Sequence, residues 1–114
     1  MTMLKALWKI WRKTLNNTQK YRIVSTSKFR KQYKKVAKQG KNKEKLKEVL
    51  NMLVNTDKLP EKYKDHKLVN NKFFDNCREC HIEPDWLLVY KKIKNELIIV
   101  CVATGSHSEI LEIG

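Results

Sequence analysis

The sequence predicts a small α+β domain with elements in the order β-α-α-β-β-β. Three observations carry that prediction. Apolar residues recur at helical spacing through the first half of the domain. Apolar and β-branched runs separated by turn residues fill the last third. The 114 residues are enough for one core. Helices followed by a run of strands are expected to cover one face of a small antiparallel sheet.

Residues 1–20 stand apart from a domain spanning 21–114. Leu4, Leu7, Trp8, Trp11 and Leu15 fall at helical spacing, with Lys and Arg on the other side. This is a basic amphipathic N-terminal helix, and three uses are open: packing on the domain, contact with RNA, a partner or a membrane surface, or an upstream stretch with little structure. Asn16, Asn17 and Thr18 make a linker. Tyr21 to Ser25 reads as the first strand. Ser27 is placed to cap a helix running to about Gln39, with Phe29, Tyr33, Val36 and Ala37 on one face and Gly40 as its stop. A second helix runs from about Asn42 to Asn55 on a stripe of Leu46, Val49, Leu50, Leu53 and Val54. Thr56 to Asn71, with Pro60, reads as a long loop. Phe73 to Ile82 is a strand and Pro84-Asp85 a turn. Trp86 to Ile93 is the next strand and Lys94-Asn95 a hairpin turn. Glu96 to Ala103 is the last strand, broken by Thr104-Gly105 before a short helical turn over Ser106 to Leu111.

Charge narrows the function. Twenty-five Lys and Arg oppose twelve Asp and Glu, a formal net charge of +13. So basic a body favours polyanionic partners: RNA, DNA, an anionic membrane or an acidic protein. The mean hydropathy of −0.62 and the absence of any apolar run near the roughly 18 residues a span needs argue against a membrane-embedded chain. Three cysteines, Cys77, Cys80 and Cys101, are an odd number. Lys5, Lys9, Arg12 and Lys13 interrupt the N-terminus too often for a secretory core. A reducing, cytoplasmic setting is therefore expected.

The candidates for chemistry are His66, His81 and His107, each beside small polar or acidic residues. Imidazole is the side chain suited to proton transfer near neutral pH. A meander of strands can bring the three together at one edge of a sheet, and three unrelated surface histidines remain the alternative. Cys77-Arg78-Glu79-Cys80-His81 matches the C-x-x-C-H pattern of haem attachment and offers zinc ligands. In a strand, however, positions i and i+3 point to opposite faces. Neither haem nor zinc is expected, and no metal ligand or cofactor is assigned.

Three blocks in order, YKDHKL, RECHIEPDWLLVYKK and ATGSHSEIL, resemble the YafQ branch of the RelE/ParE toxin superfamily. The resemblance runs from about Tyr21 to Leu111 and leaves residues 1–20 outside. It implies a RelE-like fold, a small sheet with two helices on one face. It implies a metal-free endoribonuclease that cuts messenger RNA on the ribosome and is held in check by an antitoxin protein. His66 matches the histidine of the D-H-x-L block. His81, Asp85 and Trp86 match H-x-x-P-D-W, and His107 matches T-G-[ST]-H. The resemblance thus assigns catalysis to His107, His66, His81 and Asp85, with His107 as the first choice for proton transfer. Arg78 falls on the arginine of the R-E-x-H block and is open to two uses, an RNA contact or a structural ion pair. Trp86 is likewise open to stacking on a base, to opening a buried strand, or to both. Two positions depart from the pattern. Ala103 replaces the usual arginine that holds the phosphate, and Leu111 replaces an aromatic residue. A loop lysine, Lys64 or Lys67, or the ribosome itself, is expected to supply the missing cation.

The required chemistry follows from RNA. Its 2′-hydroxyl attacks the adjacent phosphate, so a metal-free site must take that proton, stabilise the phosphorane and protonate the leaving 5′-oxygen. Histidines can act as base and acid, and a carboxylate such as Asp85 can orient an imidazole. The alternative is a toxin-like domain that has lost catalysis and binds RNA, the ribosome or an antitoxin.

Overall fold

The computed structural model describes residues 21–56, 58–68, 74 and 76–111. The amphipathic extension expected over residues 1–20 lies outside them. The elements are β1 (Arg22–Ser25), α1 (Ser27–Lys38), α2 (Lys43–Asn55), a 3-10 turn (Glu61–Tyr63), β2 (His66–Lys67), β3 (Arg78–Glu83), β4 (Trp86–Ile93), β5 (Ile98–Gly105) and α3 (His107–Leu111). The five strands form one sheet in the order β1-β5-β4-β3-β2.

Both long helices form where the periodicity placed them. Phe29, Tyr33 and Val36 are the buried residues of α1, and Leu46, Val49, Leu50, Leu53 and Val54 those of α2. The cap of α1 is Thr26, one residue before the expected Ser27. Its hydroxyl accepts from the Phe29 N–H at 3.0 Å and donates to the Val102 carbonyl at 2.8 Å, so the same side chain starts the helix and pins it to β5. Asn42 caps α2 by accepting from Glu44 N–H at 3.0 Å. Gly40, at φ +80°, follows the last turn of α1 in the left-handed conformation that a helix stop of this kind uses.

The expected antiparallel sheet is corrected at one edge. β1 lies parallel to β5, with Val24 opposite Val100, while β5, β4, β3 and β2 pair antiparallel. Two strands can be parallel only when the intervening chain crosses over. Here α1 and α2 carry it across one face to the far edge. Three boundaries also shift. β3 begins at Arg78, after a turn in which Cys77 N–H donates to the Phe74 carbonyl at 3.2 Å. The hairpin between β4 and β5 uses four residues, Lys94–Leu97, with Leu97 at φ +55°. Thr104 and Gly105 belong to β5 opposite Leu88 and Leu87, so they continue the strand they were expected to break. The long loop also holds β2, whose two residues pair with Arg78 and Glu79.

The two faces of the sheet bury different cores. α1 and α2 pack on Cys80, Ile82, Trp86, Leu88, Tyr90, Ile99 and Cys101. The opposite face carries a smaller cluster of Phe74, Cys77, Leu87, Val89, Ala103 and Ile110. β4 is therefore apolar on both sides, which is why WLLVY reads as a continuous run rather than an alternating one. An irregularity in the pairing of β4 with β5 between Val89 and Tyr90 lets Cys101 face one core and Ala103 the other. The two cysteines of C-x-x-C-H divide the same way, Cys77 into the small cluster and Cys80 into the large one, so they cannot share an ion. All three cysteines are buried free thiols. Burial pushes the Cys80 and Cys101 thiols far above the ordinary range, which makes them inert packing residues.

Candidate active site

The sheet face opposite α1 and α2 collects the histidines. Glu79 and His81 are two residues apart on β3 and share that face. β2 sets His66 directly opposite Glu79. Its Nε2 lies 3.5 Å from Glu79 Oε1, and its Nδ1 lies 2.8 Å from the Lys64 carbonyl. A carbonyl can only accept, so the bonded Nδ1 carries the proton and Nε2 is the atom turned toward Glu79. Lys64 holds that carbonyl in place from a left-handed backbone conformation, φ +49°.

His107 arrives from the other end of the sheet. It is the first residue of α3, and its ring meets His81 edge to face at 5.9 Å between centroids. The start of α3 is a reciprocal cap. Ser106 N–H donates to Glu109 Oε1 at 2.9 Å, and Glu109 N–H donates to Ser106 Oγ at 3.3 Å. The first of these hydrogen bonds, then that from Gln39, pull the Glu109 carboxyl below its usual range. Gln32 donates to the Glu109 carbonyl at 3.2 Å and accepts from Thr104 N–H at 3.0 Å, tying α3 to α1. Gly105 makes room for this cap. At φ +140°, a β-carbon there would stand 3.2 Å from the Glu109 side chain.

Glu79, His81 and His107 each offer a ligand atom, and all three atoms lie within 4.8 Å of one another. Glu79 is an addition to the residues expected from the sequence. Its signal was the i, i+2 spacing to His81 within a strand, which becomes visible only once the strand is placed. Two imidazoles and a carboxylate are donors suited to a first-row divalent metal. The same three groups can move protons, so this one constellation supports either use.

The other expected residues separate. Asp85 is exposed in the turn before β4 and makes no hydrogen bond or ion pair to a histidine among the described residues. The carboxylate beside the imidazoles is Glu79, only 9 % exposed. Trp86 is 0 % exposed, and its indole N–H donates to Thr104 Oγ1 at 3.0 Å. Of its two expected uses, the core position holds, because a ring sealed under α1 and α2 offers no face to a base. Lys64 lines a cavity of about 350 Å³ together with Lys45, Lys62, His81 and Glu83. Lys45 is committed there to Glu83 at 2.7 Å, which leaves Lys62 and Lys64 as cations bordering His81. Lys67 and Arg78 lie on the opposite side of β2 and β3. Arg78 Nε donates to Asp65 Oδ1 at 3.2 Å, and the Tyr90 hydroxyl donates to the same oxygen at 2.8 Å. Burial and then the Asp65 carboxylate raise the Tyr90 hydroxyl above its usual range. Ala103 is fully buried in the small cluster with Val89 and Ile110.

Residues 21–112 match the family model of the bacterial toxin of type II toxin–antitoxin systems, YafQ. The chain belongs to the YafQ toxin family. It is 35% identical over 89 residues to the mRNA interferase toxin YafQ of Escherichia coli BL21-DE3, covering 77% of this chain and 92% of that one. The E. coli DinJ–YafQ toxin–antitoxin complex contains a chain that superposes with a TM-score of 0.71 at 32% identity, covering 82% of this chain and 99% of its own. A metal-bound toxin from Helicobacter pylori superposes with a TM-score of 0.73 at 38% identity, covering 80% and 99%. The YafQ-like α+β architecture agrees with the element order read from the sequence.

Proposed function

We propose that this YafQ toxin is an endoribonuclease that cleaves messenger RNA on the ribosome by proton transfer, without a metal, and is restrained by an antitoxin. The observation that carries this is the convergence of His66, Glu79, His81 and His107 on one sheet face. In this reading His107, exposed at the start of α3, transfers the proton of the 2′-hydroxyl or of the leaving 5′-oxygen. His81 lies against it as the complementary acid or base. Glu79 orients His66 and balances charge as imidazoles gain protons. Lys62 and Lys64, beside His81, hold the phosphate in place of the arginine that the family usually carries at the position of Ala103. Preorganised donors at such a place are worth about 10²–10³ in rate. The relatives support the partners: similar proteins are named mRNA interferases, and one is seen in complex with the antitoxin DinJ. A divalent metal, if bound, would be held by Glu79, His81 and His107 and would supply Lewis-acid chemistry there.

A second reading rests on Ala103, buried where a phosphate-binding arginine is usual. In that reading the domain binds RNA or an antitoxin without cutting. Induced expression in a bacterium, followed by primer extension on a translated message, separates the two. Codon-phased cuts from wild type and none from His107→Ala establish the nuclease. No cuts from either folded protein establish the binding module.

A further inference from the structure

On the helix-covered side of β2 and β3, away from the histidines, lies a cavity of about 590 Å³. Its walls include five cations, Lys58, Lys67, Arg78, Lys92 and Lys94, and one carboxylate, Asp65. That carboxylate is already satisfied: Arg78 Nε and the Tyr90 hydroxyl both donate to it. Lys92 is committed as well, donating to the Thr56 carbonyl at 2.7 Å and lying 4.5 Å over the Tyr21 ring. Lys58, Lys67 and Lys94 are exposed and form no ion pair among the described residues. Arg78 donates to Asp65 through Nε and also bonds with the Tyr90 hydroxyl, so it borders the cavity as a fixed positive charge. Several like charges around one concavity repel each other, and they gain when an anion enters.

We infer that this cavity is a second RNA-binding site, which takes a backbone phosphate separate from the one at the histidines. The inference rests on the reading of the chain as an RNA-acting toxin and adds where the strand is held. The geometry of β2 favours RNA over an acidic protein. His66 and Lys67 are adjacent residues on opposite sides of this edge strand, opposite Glu79 and Arg78. A flexible polyanion rounding the edge therefore meets the histidine cluster on one face and the cavity on the other. The cavity is of a size that holds a nucleotide-sized ligand.

The test uses the full chain carrying His107→Ala, to spare both host and RNA. Affinity for a labelled single-stranded RNA oligonucleotide, and separately for purified ribosomes, is measured across a salt series. Lys67→Ala/Lys94→Ala is compared with Lys31→Ala/Lys34→Ala on the exposed side of α1. Each phosphate contact to a single strand contributes about 0.7 to the slope of log affinity against log salt. Removing the cavity pair should weaken binding and flatten that slope by about 0.7, the loss of one phosphate contact, with a clearly smaller effect from the α1 pair. A loss on the oligonucleotide arm identifies the substrate strand as occupant, and a loss confined to the ribosome arm identifies ribosomal RNA. Equal losses from both pairs mean diffuse attraction and overturn the site, as does unchanged affinity. Tightened or unchanged RNA binding with lost antitoxin binding assigns the cavity to an acidic protein and also overturns it. The nuclease reading is judged apart from this, by primer extension with the unmutated toxin.

Discussion

The two faces of one sheet do opposite work. Beneath α1 and α2, alternate residues of β3 and β4 (Cys80, Ile82, Trp86, Leu88, Tyr90) are sealed in a core. On the other face the intervening residues of β3, Glu79 and His81, meet His66 and His107 beside a smaller apolar cluster. A period-two strand lets neighbouring residues answer to different demands. One face holds the fold together, and the other can therefore carry exposed imidazoles with little effect on stability. Trp86→Ala and His107→Ala break this comparison in opposite directions. Emptying the Trp86 site should cost about 3–5 kcal/mol of stability, read by denaturant unfolding. His107→Ala should leave unfolding within about 0.5 kcal/mol while cleavage falls by about 10²–10⁴. A large stability loss from His107→Ala would mean that the open face is structural after all.

Glu79 sharpens the contrast, since it sits on the histidine face and is nearly as buried as the core. Replacing it by Gln keeps the shape and removes the charge facing His66. Glu79 Oε1 lies 3.5 Å from His66 Nε2, and losing an opposite charge at that range should lower cleavage by Glu79→Gln about 10- to 100-fold. Asp85→Asn, exposed and apart from the histidines, should fall by much less. The reverse ranking in single-turnover assays would return the orienting role to Asp85.

The same cluster predicts a response to metal. If His81 and His107 must stay free to exchange protons, Zn²⁺ or Cu²⁺ bound between them and Glu79 should abolish cleavage, and a chelator should restore it. Calorimetry on His107→Ala should show the metal affinity much reduced. Activation by added metal would overturn the metal-free mechanism and make the three residues ligands in catalysis.

What the sequence revealed follows from which interactions are local. The stripes of α1 and α2 and both ends of β4 were legible, because periodicity and turn residues sit next to the elements they define. The parallel place of β1 was not, because it depends on a pairing across some seventy-six positions, Val24 to Val100. Thr104 and Gly105 looked like a break, but Thr104 is spoken for by Trp86 and Gln32, and Gly105 is needed for the cap beside it. The histidines could be listed from sequence and their grouping expected. Which carboxylate joins them depended on the register of β3 against β2. Trp86 was ambiguous for a related reason: an aromatic residue that opens a strand can face solvent or core, and only the helices above it decide.

The smallest expected effect concerns the cap that carries His107. Ser106-His107-Ser108-Glu109 has the S-x-x-E spacing of a capping box, and the structure closes both of its hydrogen bonds. Glu109→Gln keeps an acceptor and loses the charge, so its cost should be at most about 1 kcal/mol. The sign of its pH dependence is fixed by the lowered carboxyl. A group whose pKa is depressed on folding stabilises the protein above its unfolded value, about 4.3 for Glu, and that contribution is lost as pH falls through the lower folded value. Wild type and Glu109→Gln should therefore differ at pH 7 and converge as the solution is acidified below pH 4. Because α3 supplies His107, the substitution should also reduce cleavage at neutral pH by more than its effect on unfolding suggests. Equal activity with equal stability would mean that Gln32, through the Glu109 carbonyl, holds α3 without the cap.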